Sequence, residues 1–406
     1  MPGDVEHANP VILRPGASLV LHIRTEGDKY TKTAWLLSVP NVGIGSQRMN
    51  GTERRPDKDG ANPGTPPQWA RASHGRPSGV PEPDPIVDAT MEERVGVTVD
   101  DLADLLTLTA VKNFGPQKFK AVYEKGLKPQ ELVRNPSLLP VAGKRGDELR
   151  RGIASLAVEG GSIFRRRAKR QIATAHKVGA KIVTYWHDTY PSNVFRSNYP
   201  VPVLYVRGST RVLKERRIVA CVGSRRIRSP YSDLHRAFSE LAAELDFAVV
   251  SGFALGADSI GHETAWQARK ETICVLPGGL ERAFPPENKS LWNRFLSYEG
   301  AALVSEAQFG TRASSLLLRR RNKLIVAFAL GVLVSQTAAD GGSMNAYRFA
   351  IEQRKPLAVF RADGSKETSG NSKIAEDKEN DITVFPDLQS HRSLWEEWLL
   401  RLSSSI

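Results

Sequence analysis

Four glycine-bearing stretches recur where strands are expected to end: Gly223-Ser224-Arg225, Ser251-Gly252 through Gly256, Pro277-Gly278-Gly279, and Gly341-Gly342-Ser343. Small residues there let backbone amides close on an anion, and several stand just before a predicted helix, whose first turn favours phosphate. Arg225 adds a planar fork suited to phosphate oxygens. A second cationic set is Arg320-Arg321-Asn322-Lys323, with Arg312 and Arg319 upstream and no acidic residue from Ala307 to Ala339. Cations at a helix start oppose its dipole, a cost that a bound polyanion would offset. The expected phosphate contacts are therefore Gly223, Ser224, Arg225, Ser251, Gly252, Gly256, Arg320, Arg321, Asn322, Lys323, Gly342 and Ser343.

The same loops exclude other chemistry. The first reads GSRRIRSP, which is not the G-x-G-x-x-G of a dinucleotide site, and no G-K-[ST] follows to make a nucleotide-hydrolysing phosphate loop. Asp258 and His262 share a helix face at i, i+4, a spacing that metal ligands also use. No third ligand is evident, so they are expected to support the phosphate loop structurally. Cys221 and Cys274 lie inside apolar runs and read as buried small hydrophobes in a reducing compartment. No catalytic residue, metal or cofactor is expected.

The elements that must position these loops begin at Ile218. Apolar runs at Ile218–Val222, 248–250, Thr272–Leu276, Ala301–Val304, 331–335 and Leu357–Phe360 alternate with amphipathic stretches at about 231–245, 258–268, 321–330 and 343–353. Strands alternating with helices predict an α/β fold with a doubly wound, mostly parallel sheet, whose ligands bind at the carboxyl ends of the strands.

The rest of the chain divides by composition. Residues 1–50 hold apolar stretches at 11–13, 19–23 and 35–39 that suit a short hairpin or small sheet. Residues 51–92 are rich in Pro, Gly, Arg and Asp and read as a disordered linker. Residues 93–160 read as a small helical domain. Its first helix opens on Asp100, Asp101 and Asp104, and two turns, around Asn113-Phe114-Gly115 and Val141-Ala142-Gly143, resemble helix-hairpin-helix or SAM-like modules. Asn113 occupies a position where glycine is usual, and Asn tolerates positive φ. The module either packs structurally or contacts DNA. The sheet domain is expected over 161–363, beginning with a basic run, Arg165 to Lys177, that reads as a solvated helix face unless it shares the groove. Residues 364–406 are expected to be a polar loop and one short helix, Leu394–Leu402, that docks through Trp395 and Trp398.

The 406 residues carry 57 Lys and Arg against 44 Asp and Glu, a formal charge of +13. No apolar run approaches the ~20 residues that span a bilayer, and no signal peptide is read. An anionic polymer in the cytoplasm, rather than a membrane, is the expected partner.

The order of motifs over 199–360 resembles the DNA-processing protein A (DprA/Smf) family. The resemblance rests on Pro202 through Gly208, Val222-Gly223-Ser224-Arg225, Ser251-Gly252-Phe253-Ala254-Leu255-Gly256-Ala257-Asp258 with His262, Phe284-Pro285-Pro286-Glu287-Asn288, Ser305-Glu306 with Arg321-Asn322-Lys323, and Gly342-Ser343 with Ala346 and Ala350. It implies a Rossmann-like domain that binds single-stranded DNA. It also implies a homodimer that loads a RecA-type recombinase, in natural transformation or on mobile elements. Leu255 and Asn345 depart from the basic residue and the Thr common there, and the usual C-terminal winged helix is missing. Two rivals share the fold. One is a nucleotide-binding sensor. The other is a nucleoside-monophosphate phosphoribohydrolase, whose motif resembles Pro277-Gly278-Gly279 but whose glutamate position holds Pro285.

Overall fold

The computed structural model describes residues 20–23, 32–35, 84–386 and 392–404. The expected linker over 51–92 lies outside these up to residue 83, and its end is not linker, since a helix begins at Ala89 on an Asp88 cap. Two compact units result, residues 1–79 and 80–406. In the first, β1 (Val20–Ile23) pairs antiparallel with β2 (Lys32–Trp35), Val20 opposite Trp35. The second strand thus lies earlier than the apolar stretch 35–39 suggested.

The second unit opens with α1 (Ala89–Val95), α2 (Val99–Ala110), α3 (Pro116–Glu124) and α4 (Pro129–Arg134). Thr98 caps α2 by accepting from Asp101 N, and Asp100 and Asp101 sit in its first turn, where negative charge suits the dipole. Asn113 has φ +67°, so it makes the left-handed turn before α3. The next helix, α5, runs unbroken from Gly143 to Val178. The domain boundary expected at 160/161 therefore falls inside a helix. The helix passes through Gly160 and Gly161, each of which costs about 1 kcal/mol relative to Ala in a helix. Here Phe164 packs over Gly160, where a Cβ would lie 2.5 Å from its ring.

Then follow β3 (Ala180–Thr184), α6 (Ser192–Arg196), β4 (Val203–Gly208), β5 (Ile218–Val222), α7 (Tyr231–Glu244), β6 (Ala248–Ser251), α8 (Ala257–Gln267) and β7 (Thr272–Val275). The chain continues through α9 (Lys289–Leu296), β8 (Ala301–Ser305), α10 (Ser315–Phe328), β9 (Gly331–Val334), α11 (Met344–Glu352), β10 (Leu357–Phe360), α12 (Ser369–Ala375), β11 (Ile382–Phe385) and α13 (Arg392–Ser403). Strands β3 to β11 form one sheet in the order β11-β10-β9-β5-β6-β7-β8-β4-β3. Within it only the β3–β4 and β4–β8 pairings are antiparallel. The segment 364–406 is more than loop and helix: β11 extends the sheet, parallel to β10.

Strand residues are buried on both faces, as a sheet covered on two sides requires. Ile218, Ala220 and Val222 of β5 join the core that contains α10, whereas Val219 and Cys221 join the one that contains α7 and α13. Trp395, Trp398, Leu399 and Leu402 are buried in that second core. The first core runs without interruption from Leu102 and Phe119 of the helical module to Ile182 and Leu204 of the sheet. Helical module and sheet thus share one interior.

Candidate functional site

After β5 the chain builds outward through β6, β7 and β8, then α10 carries it back across β5 to β9. The strand order reverses between β5 and β9, the place where doubly wound sheets open a crevice at their carboxyl ends. A cleft of about 660 Å³ lies there, walled by the loop after β5, the loop after β9 and the start of α10.

Three loops are tied together beneath it. Ala257 N donates to Ser224 O at 3.1 Å, and Ser343 Oγ donates to Gly223 O at 2.7 Å. Gly256 has φ +75°, and a Cβ on it would come within 2.5 Å of Ser224 O and 2.6 Å of Arg225 O. Only glycine lets the β6–α8 loop pass this close beneath the β5 loop. Asn322 Nδ2 and Asn345 Nδ2 both donate to Gly342 O, fixing the third loop. Gly223, Ser224, Gly256, Gly342 and Ser343 therefore shape and brace the cleft.

The expected cations do not all face it. Arg225 does: it is exposed and has no ion pair among the described residues. Arg321 is buried beneath the cleft, its Nη1 3.5 Å from Asp258 Oδ2. Asp258 Oδ2 also accepts from Ala254 N at 3.1 Å. Gly252 makes room for this guanidinium, since a Cβ there would lie 0.8 Å from Arg321 Nη1. Arg321 and Gly252 thus make the floor of the site. Ser251 is also interior, its Oγ donating to Cys221 O at 2.7 Å. Arg320 and Lys323 point to the flank: Arg320 Nε lies 3.0 Å from Glu306 Oε1, and Lys323 Nζ lies 2.7 Å from Glu352 Oε1. Both are thus ion-paired in the free protein and neither lines the cleft. Pro277-Gly278-Gly279 is likewise used for packing, with Gly279 N donating to Thr311 O at 2.9 Å.

His262 stands behind the floor. Thr272 Oγ1 donates to Val249 O, so it accepts from His262 Nδ1 at 2.7 Å, which leaves Nε2 as a bare, unpartnered acceptor. Burial, reinforced by Arg321 and His235, pushes His262 down to about 3. It is a neutral strut between Phe253 and Phe295. Its partner is a strand rather than the loop foreseen from sequence. Among the described residues no group of three His, Cys, Asp or Glu stands close enough to hold a metal.

Two wall residues escaped the expected contact set. Arg226 and Arg319 line the cleft, exposed and with no acidic partner among the described residues. Helical phase carries the signal for Arg319. Leu324, Ile325 and Phe328 mark the buried face of α10, so Arg321 falls on that face. Ser315, Leu318, Arg319 and Asn322 then fall on another, which meets the cleft. A smaller pocket of about 170 Å³ adjoins, lined by Arg225, Leu255, Phe284, Pro285 and Leu318 among others. Cationic forks beside an apolar slot of this size suit phosphates carrying planar rings.

Fold and cleft together define a doubly wound α/β protein with an arginine-lined cleft at its topological switch point. The family model for DNA recombination-mediator protein A matches residues 181–390, just over half of the chain, and the chain belongs to that family. It is 34% identical over 171 residues to Protein Smf of Escherichia coli K12, covering 42% of this chain and 45% of that one. It is 27% identical over 205 residues to DNA processing protein DprA of Bacillus subtilis, covering 50% of this chain and 67% of that one. The chain thus spans about half to two thirds of the length of these curated relatives. The X-ray structure of DprA from Streptococcus pneumoniae superposes with a TM-score of 0.52 at 21% identity, over 71% of this chain and 95% of that one, and shows the same fold. Among the described residues no helix is long and apolar enough to cross a membrane.

Proposed function

We propose that the switch-point cleft binds single-stranded DNA and that the protein acts as a cytoplasmic recombination mediator rather than as an enzyme. The observation that carries this reading is the pairing of Arg225, Arg226 and Arg319, which form no ion pair among the described residues although Asp340 shares their cleft, with the adjoining slot at Leu255, Phe284 and Leu318, which Glu287 also lines. Unpaired arginines track a backbone, and an apolar slot takes an unstacked base, which a single strand offers and a duplex does not. Membership of the recombination-mediator family supports the same role and, through it, a homodimer that hands its strand to a RecA-type recombinase. The phosphoribohydrolase alternative finds no support in Glu281, whose carboxylate accepts from Gly310 N and is spent on a loop.

Arg225→Ala tests the cleft. It should weaken single-strand binding roughly tenfold or more, the range for a lost hydrogen bond to a charged group, with the fold intact. The slope of log K against log salt should fall by about 0.7. Arg225→Lys should restore part of the loss, because a point charge lacks the fork. Unchanged affinity at low salt, or a preference for duplex, refutes the assignment.

A further inference from the structure

Arg321 uses fewer of its donors than its burial demands. A guanidinium carries five N–H groups. Among the described residues this one makes a single polar contact, Nη1 to Asp258 Oδ2 at 3.5 Å, and its Nε is buried with no hydrogen-bond partner. The residue is only 7% exposed. It occupies the space that a side chain at position 252 would fill: a Cβ on Gly252 would lie 0.8 Å from Nη1 and 2.6 Å from Nη2. Gly252 and Arg321 both line the slot of about 170 Å³, so the fork lies at its floor. A buried donor left without a partner costs stability, and the slot is where a ligand can supply the missing acceptor.

The same slot also holds an acceptor. Glu287 lines it, is exposed, and has no hydrogen bond or ion pair among the described residues. The next residue anchors this loop: Asn288 is buried, with Nδ2 donating to Phe253 O at 2.9 Å and to Ser259 Oγ at 3.1 Å. The rest of the lining is largely apolar, from Leu255, Phe284, Pro285 and Leu318. Arg225, Ala254, Leu318 and Arg321 line both the slot and the larger cleft, so the two cavities share a wall. A nucleotide whose phosphate lies against Arg225 can therefore place its base in the slot. A bare carboxylate beside a phosphate site repels the strand, unless the base itself donates to it.

We propose that the slot selects guanine, with Arg321 and Glu287 as the specificity-determining residues. This rests on the single-strand reading of the cleft and deepens it. Guanine presents O6 and N7 side by side as acceptors, which match an arginine fork. It also presents N1–H and the 2-amino group side by side as donors, which match the two oxygens of a carboxylate. Cytosine and adenine offer Glu287 an amino group with no second donor beside it. Thymine offers only N3–H, set between two carbonyls that a carboxylate repels. Apolar walls take the face of any base, so the choice falls to the two charged groups.

The test measures binding of the full chain to single strands of about 6 nucleotides, enough to fill one cleft. One strand is all thymidine, and the others carry a single central guanine, adenine, cytosine or hypoxanthine. The guanine strand should bind roughly tenfold tighter than the all-thymidine strand, the discrimination of one good bidentate pair. Hypoxanthine, which lacks the 2-amino group, should lose most of that gain. Glu287→Gln should abolish the gain and slightly strengthen all-thymidine binding, since a negative charge leaves the site. Equal affinity for all the strands overturns the proposal. So does adenine equal to guanine, which marks stacking alone, or a guanine preference that survives Glu287→Gln. Arg225→Ala, measured on the same strands, reads the cleft separately. If it weakens none of them, the single-strand reading fails and the guanine slot fails with it. If it weakens all of them while the unmodified protein treats every base alike, the cleft reading stands and the guanine proposal falls.

Discussion

On α5, Arg165 pairs with Asp100, Arg166 Nε lies 3.2 Å from Asp84 Oδ1, and Arg167 Nε donates to Gln308 Oε1 at 2.6 Å. At the cleft, Arg225, Arg226 and Arg319 face no carboxylate that pairs with them among the described residues. Both stretches read as basic in the sequence, yet the fold treats them differently. Acids far away in sequence return to α5 and pair with Arg165 and Arg166, whereas Arg167, Lys169, Arg170 and Lys177 have no ion pair among the described residues. At the strand ends, Asp340 and Glu287 line the same cleft and adjoining pocket without forming an ion pair with these arginines, and the carboxylate beneath them, Asp258, is already committed to Arg321. A cationic run becomes a binding surface where tertiary structure leaves it unanswered.

The buried floor offers the largest effect by which that contrast can be broken. Asp258→Ala leaves the Arg321 guanidinium buried without its partner. Removing one member of such a pair costs about 3–5 kcal/mol, and urea unfolding should show it. A cost below about 1 kcal/mol would mean that the floor is wet and Arg321 free to act as a wall cation.

The second effect is titration behind the floor. Burial is the main cause that pushes His262 down to about 3 and His235 down to about 4, and both imidazoles are neutral in the folded protein. Unfolded histidines titrate near 6.5. Their contribution to stability is therefore complete above that pH and lost progressively as pH falls toward 4 and then 3. The urea midpoint should drop over this window, and His262→Gln should flatten the drop. Single-strand affinity of the folded fraction should not follow the midpoint. A midpoint that holds level between pH 7 and 4 would contradict the burial of both rings.

How far the sequence anticipates this arrangement depends on range. The sheet was legible because apolar runs such as Ile218–Val222 are buried on both faces and end on small residues. The left-handed turn at Asn113 was legible because Asn tolerates it. What sequence proximity concealed was pairing. Arg320, Arg321 and Lys323 are consecutive or nearly so, but one helical turn sends them to Glu306, Asp258 and Glu352 respectively. Phase could have placed Arg321 on the core face; nothing local could have supplied Glu306 or Glu352 as partners. The boundary expected at 160/161 was misplaced because α5 runs through it, with Phe164 packed over Gly160, a contact that depends on the helix already being formed. β11 was missed because a strand of four residues becomes one by pairing with β10 and by burying Phe385 against Trp395, both nonlocal events.

The smallest expected effect bears most directly on the contrast between the two basic stretches. Arg165→Ala with Arg166→Ala removes two cations whose partners, Asp100 and Asp84, are more than a third exposed, as are the arginines themselves. Exposed pairs contribute roughly 0–1 kcal/mol, and salt screens them further, so thermal unfolding should barely move. The net effect on the local field is also small, because each arginine is already answered by a carboxylate that stays behind. Single-strand affinity should therefore fall by no more than about threefold at 0.1 M salt, through the general charge of the protein, and the salt slope should hold. The same single strand used for Arg225→Ala makes the comparison quantitative. If this α5 variant weakens binding as much as Arg225→Ala does, the two basic surfaces are equivalent, the DNA crosses α5, and the distinction between answered and unanswered arginines fails for this protein.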